Sequence, residues 1–273
     1  MKREGDSRIQ LVAFDLDGTL LTSTGVLAPE GAQLLKMAAR KGVHVVPATS
    51  RVLDSTRPFC QQLEINGPAI CTNGAQIYGS PDGPIWSSLT FPREIGLEIA
   101  SLADDNGWEI STTIGPVTYY RQRPGQVIGP LSPSRVIVAK NSDAVVGSPV
   151  RILTTNPEAI ESLQSLCQPK FSRHCYTEVY HRPDGRIYSL GVFAPGANKG
   201  DALNLVCRRL KVPRLNVMVI GDDLNDLPMF SYARISVAMA NAPEQVRQKA
   251  TAVTPTNDDE GVAWALREFG VSS

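Results

Sequence analysis

Neither sign of charge is in excess in this 273-residue sequence: 27 Lys and Arg face 27 Asp and Glu. With no net positive charge and no long basic run, the chain is not built to be held mainly by nucleic-acid phosphates. Long apolar runs are missing as well. The longest, such as Leu11 to Phe14 and Val217 to Ile220, are far too short to span a bilayer. The first residues are charged (Lys2, Arg3, Glu4, Asp6), and Asp15 and Asp17 interrupt the apolar stretch behind them, so no signal peptide is discernible. A cytoplasmic protein without membrane association is the expectation. Cysteine is scarce and unpatterned: Cys60, Cys71, Cys167, Cys175 and Cys207 are odd in number and include no Cys-x-x-Cys. That excludes a disulfide framework and a zinc knuckle, and predicts small buried thiols. His174 and Cys175 are adjacent, and on a strand they would point to opposite faces, so they make no metal pair. Internal repeats and low-complexity linkers are absent.

What is present is ordinary globular composition, with 42% hydrophobic and 20% charged residues and length for about two domains. Short apolar runs alternate with helical patterns in the first third: strands at Leu11–Phe14, Val43–Ala48 and Pro68–Cys71, and helices at Pro29–Lys41 and residues 54–64. The last third resumes the rhythm, with a helix at Lys199–Leu210, a strand at Leu215–Ile220, short strands near Ile235–Ala238 and Ala252–Thr254, and helices near Pro243–Ala250 and Gly261–Phe269. Continuous apolar strands separated by helices predict an α/β fold, a doubly wound parallel sheet covered on both faces. Residues 80–192 have another grammar. Helices at Pro92–Asn106 and after Asn156-Pro157 accompany strand-like pieces and a hairpin around Pro183-Asp184-Gly185, which predicts an inserted α+β domain. The core is then residues 1–79 and 193–273.

The chemistry concentrates where strands of the parallel sheet end, the ligand-binding edge of such a fold. Asp15-Leu16-Asp17-Gly18-Thr19 follows the first strand, and carboxylates at i and i+2 project to one side of an extended chain. Such a pair can hold a cation while one oxygen attacks an electrophile and the other group handles a proton. Gly221-Asp222-Asp223-Leu224-Asn225-Asp226 follows another strand; a helix beginning at Asp223 or Leu224 would set Asp222 and Asp226 one turn apart on one side. An all-oxygen cluster suits Mg²⁺. Thr49-Ser50-Arg51 and Lys199-Gly200 add hydroxyl, amide and cationic donors for an anion.

These segments, with Thr72-Asn73-Gly74-Ala75, Asn241-Ala242-Pro243 and Asn257-Asp258-Asp259-Glu260-Gly261-Val262-Ala263, resemble the haloacid dehalogenase (HAD) superfamily phosphatases, Cof-type subclass IIB, over nearly the whole length and in the family's order. The resemblance implies a Rossmann-like core with an α/β cap that sets specificity. It implies that Asp15 is the nucleophile forming an aspartyl-phosphate, and that Asp17 is the acid/base whose backbone carbonyl touches the metal. Asp15 and Asp222 would ligate Mg²⁺, with Asp226 in direct contact or in support. Thr49 and Ser50 would bind phosphoryl oxygens, Lys199 would neutralise charge, and Asn225 would contact the substrate phosphate. Ser50 stands where the family usually has Gly, a strain if that backbone needs a positive φ; either Thr49 or Ser50 then supplies the phosphate hydroxyl.

The implied activity is Mg²⁺-dependent hydrolysis of small phosphorylated metabolites, sugar phosphates foremost, with no nucleic-acid, membrane or obligate protein partner. A phosphomutase on the same core, or a silent sugar-phosphate-binding regulator, are the alternatives. The insert carries ten Arg or Lys against eleven Asp or Glu between Pro81 and Val192, so it offers polyanions no broad cationic surface. Tyr119, Arg121 and Arg123 share one face of its presumed strand, read first as a solvated face that could also greet an anionic or sugar substrate. Arg182 and Arg186 flank the hairpin tip as surface arginines that could reach the core; the residues that set specificity stay open.

Overall fold

The computed structural model describes residues 8–121, 132–181 and 185–271. In chain order the core begins with β1 (Leu11–Phe14), α1 (Pro29–Arg40), β2 (His44–Pro47), α2 (Leu53–Gln62), β3 (Ala69–Cys71), β4 (Gln76–Tyr78) and β5 (Ile85–Ser88). The insert contributes α3 (Arg93–Asp105), β6 (Ser111–Ile114), β7 (Val117–Arg121), β8 (Arg135–Val138), β9 (Arg151–Thr154), α4 (Pro157–Phe171), β10 (Tyr176–His181) and β11 (Ile187–Phe193). The core resumes with α5 (Lys199–Leu210), β12 (Val217–Gly221), α6 (Leu227–Tyr232), β13 (Ile235–Ala238), α7 (Glu244–Arg247), β14 (Ala252–Val253) and α8 (Gly261–Glu268). Two compact units result: one runs to Ser87 and resumes at Asn198, and the other spans Ser88–Ala197. No helix among the described residues is long and apolar enough to cross a membrane.

The first unit is built on a five-stranded sheet, ordered β14-β13-β12-β1-β2, with every neighbour parallel. Its strands read as unbroken apolar runs because both faces are covered. Val12, Phe14, Met218 and Ile220 pack with α1 and α8 residues such as Leu35 and Leu266, while Leu11, Ala13, Val217 and Val219 pack with Leu203 and Val206 of α5 and Met229 of α6. The period of two along each strand divides one apolar run between two cores. β3 runs parallel to the end of β2, as expected of a third strand, through the bridge of Ala48 with Ile70 and the Thr49 amide donating to the Ile70 carbonyl at 2.9 Å. Its own ladder is with β4, antiparallel, in a three-stranded sheet. The crossover through α2 brings β3 back parallel to β2, and the chain then reverses at Thr72–Gly74 into the antiparallel β4.

The second unit is a six-stranded sheet, β10-β11-β9-β6-β7-β8, antiparallel except for β7 with β8. The apolar sides of α3 and α4 (Ile95, Ile99, Ile160, Leu163) pack onto one face of it, through Ile152, Leu190 and Val192. Asn156 caps α4, accepting from the Ala159 amide at 3.0 Å, with Pro157 opening the helix. All five cysteines are buried and free. Arg121, on the face read first as solvated, pairs with Asp104 of α3 at 3.8 Å and keeps part of its side chain exposed. Arg123, Arg182 and the hairpin tip at Pro183-Asp184 lie outside the described residues.

Asp104 ties α3 to the following loop, accepting from the Asn141 amide at 2.8 Å and from the Ser142 amide and hydroxyl at 3.0 and 2.8 Å. Burial pushes its carboxyl up, but these bonds and Arg121 outweigh burial and hold it below the ordinary carboxylate range. A depressed carboxyl stabilises the fold above its unfolded pKa, and that stabilisation fades as pH falls through the folded value. Asp104→Asn is expected to lower stability at pH 7 by about 1–2 kcal/mol. In urea unfolding the gap should narrow towards about pH 3, below the usual carboxyl range.

Candidate active site

Three strand ends converge to make the site. β1 is paired in register with both neighbours, Phe14 opposite Ile220 and Pro47, so the residues that leave β1, β12 and β2 emerge side by side. Asp15 remains tied to the sheet through its amide, which donates to the Ile220 carbonyl at 3.0 Å. Lys199 arrives from another direction, as the first residue of α5. Asn198 caps that helix by accepting from the Asp201 amide at 2.8 Å.

Lys199 is entirely buried, and its Nζ lies 2.9 Å from Asp15 Oδ1 and 2.7 Å from Asp226 Oδ1. The other Asp226 oxygen accepts from the amides of Asp222 and Asp223 at 2.8 and 3.1 Å. Asp222 in turn accepts from the Thr19 hydroxyl at 2.6 Å. Carboxylate oxygens of Asp15, Asp222 and Asp226 all lie within 4.8 Å of one another. Burial opposes charge on Lys199, but Asp15 and Asp226 outweigh it and raise its pKa, so the ammonium is kept. Burial pushes the Asp15 carboxyl up to about 7, helped by Asp226 and Asp17 and opposed by Lys199. It also raises Asp222 well above the ordinary range, reinforced by Asp15 and Asp226. Three carboxylates against one ammonium leave a deficit of two positive charges when all are ionised, and every free donor is oxygen. Such a set fits a hard divalent cation.

Gly18 is demanded here twice over. Its φ of +77° lies in the left-handed region, and a Cβ would come within 2.1 Å of Asp222 Oδ2. Beyond it, Asp17 is half exposed and gripped bidentately by Arg51, with Nε to Oδ2 at 2.7 Å and Nη2 to Oδ1 at 2.6 Å. The bond to Asp17 raises the Arg51 pKa further, and Phe59 lies under the guanidinium at 5.1 Å. Two bonds leave Asp17 with other lone pairs to exchange a proton. Thr49 is fully buried, its hydroxyl accepting from the Arg51 amide at 3.1 Å. Ser50 is half-buried and is not among the non-glycine residues with positive φ, so it replaces Gly without strain. Asn225 sits in a one-turn helix at Leu224–Asp226, its Nδ2 donating to Asn73 Oδ1 at 3.2 Å.

Asp15, Asp222, Asp226 and Lys199 are thus gathered into one cluster, flanked by Asp17 and Thr49, whose backbones directly follow β1 and β2. The sequence reading did not foresee the grip of Arg51 on Asp17, although both residues belong to segments it singled out. It counted the tail among the segments that carry the resemblance but gave its side chains no role; they brace the first loop. Asn241 Nδ2 donates to the Gly18 carbonyl and Asn257 Nδ2 to the Leu21 carbonyl, each at 2.8 Å. Glu260 accepts from the amides of Glu30 and Gly31 at the start of α1, at 3.0 and 2.9 Å.

A family model for haloacid dehalogenase-like hydrolases matches residues 12–266. The chain belongs to this family. The 5-amino-6-(5-phospho-D-ribitylamino)uracil phosphatase of Bacillus subtilis is 27% identical, over 97% of this chain and 97% of its own. A putative phosphatase of Haemophilus influenzae is 28% identical, over 94% and 97%. Among solved structures, a haloacid dehalogenase-like hydrolase from Bacteroides thetaiotaomicron superposes with a TM-score of 0.81 at 23% identity, covering 96% of this chain and 99% of that one. The haloacid dehalogenase-like fold, with its central parallel sheet and antiparallel insert, is therefore shared, and the enzyme is a phosphoric monoester hydrolase.

In this hydrolase Lys199 is the sole cation that bridges Asp15 and Asp226 among the described residues. Lys199→Met is expected to destabilise the protein by about 3–5 kcal/mol at pH 8 in chelator, because it strands buried carboxylates. Lowering the pH lets Asp15 take a proton in the variant's folded state, so the deficit should shrink towards pH 5. Chemical unfolding at both values measures it; an equal deficit at both would show that lost packing, not charge, is responsible.

Proposed function

We propose that the enzyme is a Mg²⁺-dependent phosphatase of small phosphorylated metabolites, with sugar phosphates as its preferred class, working through an aspartyl-phosphate. The observation that carries this reading is the buried Lys199 ammonium bridging Asp15 and Asp226 beside Asp222. Binding alone would call for cations around a phosphate, and the Asp15 carboxylate, 2.9 Å from the Lys199 ammonium, supports a nucleophile's role instead. Asp15 and Asp222 would hold the Mg²⁺. Asp226, with one oxygen on Lys199 and the other on two amides, supports them, and the backbone carbonyl of Asp17 would complete the protein's share. Bound there, the cation would neutralise charge on the transferring phosphoryl group.

The residues divide the reaction as follows. An Asp15 oxygen attacks phosphorus while the ester P–O bond breaks, and Asp17 gives its proton to the leaving oxygen. Asp17 then takes a proton from water, whose oxygen attacks phosphorus, releasing orthophosphate and restoring Asp15. Arg51 keeps Asp17 at its station. Thr49, the Ser50 amide and Asn225 bind the phosphoryl oxygens, and Lys199 holds the nucleophile in line and offsets charge that phosphoryl transfer spreads over oxygen.

The near balance of charge in the insert, the domain proposed to choose the substrate, supports small neutral polyols over polyanions. The Bacillus subtilis relative is named for a substrate with a phospho-D-ribityl group, a phosphate ester on a polyol chain. Comparing kcat/KM for hexose and pentose monophosphates, nucleotides and phosphopeptides tests this class; a nucleotide or phosphopeptide ahead of every sugar phosphate by tenfold would replace it.

Asp15→Asn is expected to bring phosphate release down to the buffer level. Asp17→Asn is expected to lose about 10²–10⁴-fold with sugar phosphates. With an aryl phosphate, whose leaving group needs no proton, Asp17→Asn should still allow the aspartyl-phosphate to form, and intact-mass measurement should detect it accumulating. Chelator should abolish turnover and Mg²⁺ restore it, while full turnover in chelator, with no metal by elemental analysis, would remove the metal from the reaction.

A further inference from the structure

The segment Thr72–Gly74 between β3 and β4 departs from ordinary backbone: φ is +54° at Thr72, +56° at Asn73 and +87° at Gly74. Left-handed conformations cost a β-branched residue most, and three in succession persist only where their surroundings over-determine them. The surroundings here are the site. The Thr72 amide donates to the Arg51 carbonyl at 2.8 Å and the Asn73 amide to the Thr49 carbonyl at 3.0 Å, so the segment is bonded to both neighbours of Ser50. A Cβ on Gly74 would lie 2.2 Å from the Asn198 carbonyl, so the segment is seated against the residue that caps the lysine-bearing helix. Asn73 is 2% exposed, and its Oδ1 accepts from Asn225 Nδ2 at 3.2 Å.

We propose that Asn73 is a positioning residue for phosphoryl transfer, its carboxamide fixing Asn225 against the substrate's phosphoryl group. This rests on the reading that Asn225 meets that group. The amide of Asn225 has two N–H donors and one acceptor. Asn73 takes one donor and sets the plane of the amide, which leaves the second N–H for a phosphoryl oxygen. Asn225 Oδ1 is buried and has no hydrogen-bond partner among the described residues. An unmet buried acceptor is unfavourable, so what orients the Asn225 amide is its donor bond to Asn73 rather than any bond to its oxygen. The strain at Thr72 and Asn73 then has a use: it delivers a side chain from the β3–β4 turn to a residue 152 positions away.

The test is a double-mutant cycle on orthophosphate affinity, measured by calorimetry with Mg²⁺ present. Asn73→Gly keeps the left-handed backbone and removes the carboxamide; Asn225→Ala removes its partner. Asn73→Ser, too short to reach Asn225, provides a second reading if the glycine variant unfolds. Each single change is expected to weaken orthophosphate binding roughly tenfold. The double variant should be no weaker than Asn225→Ala alone, because Asn73 acts through Asn225. With a sugar phosphate, KM should rise similarly while kcat changes little, the signature of binding lost equally from ground and transition states. Parent-like affinity in Asn73→Gly, losses that multiply in the double variant, or an unchanged affinity in Asn225→Ala would each overturn the inference, as would a parent that binds no orthophosphate. A parent that binds orthophosphate yet hydrolyses no phosphate ester would refute the phosphatase reading and leave the cycle to decide the role of Asn73.

Discussion

A fully buried ammonium can exist only where opposite charge surrounds it, and the site is arranged to meet that condition at Lys199. Its two partners come from distant parts of the chain, Asp15 at the end of β1 and Asp226 beyond β12, at 2.9 and 2.7 Å. Neither carboxylate would tolerate its own burial without the lysine, and the lysine would not tolerate burial with only one of them. The parallel register of β1 and β12 is therefore an electrostatic requirement as much as a packing one. A slip of one residue would turn Asp15 to the other face of the sheet and leave the ammonium short of a partner.

The surplus of carboxylate over ammonium explains why the neighbouring backbone is so exacting. Asp222 is carried by Thr19 on one side and has Gly18 on the other, where any side chain would strike it. Asp226 spends one oxygen on two amides so that the other can face Lys199. Left-handed backbone gathers in the same region, at Gly18, Thr72, Asn73 and Gly74. Conformations that would lower stability elsewhere are held here because they set the distances between charges.

Much of this was legible in the sequence because the signals were local. Unbroken apolar runs ending in Asp15 and Asp222 marked buried parallel strands and the edge where their ligands would lie. The helix expected at Lys199–Leu210 is α5 with those bounds, although its cap, Asn198, was not singled out. What escaped depended on pairing at a distance. Ala69–Cys71 reads as a short core strand and is one, parallel to the end of β2; its antiparallel partner β4 depends on the reversal at Thr72–Gly74, which no apolar run announces. The side of a strand can be read from alternation, yet alternation does not say which side the helices cover; Arg121 meets Asp104 for that reason. The bidentate pair of Arg51 with Asp17 joins two segments that were each recognised singly, and nothing in either segment names the other.

The bracing of the first loop by Asn241, Asn257 and Glu260 bears on how the protein is born. Thr19 and Asp222 are 203 positions apart, and Asn257 meets Leu21 across 236. Arg51, which grips Asp17, follows after only 34 positions. A ribosome has nevertheless exposed Asp15 long before it makes Lys199, which neutralises it, and the residues that fasten its loop. Pairings so remote in sequence form late and slowly. The nascent chain carries the Asp15 loop unbraced through most of its synthesis, and its carboxylate meets the lysine only once α5 has emerged.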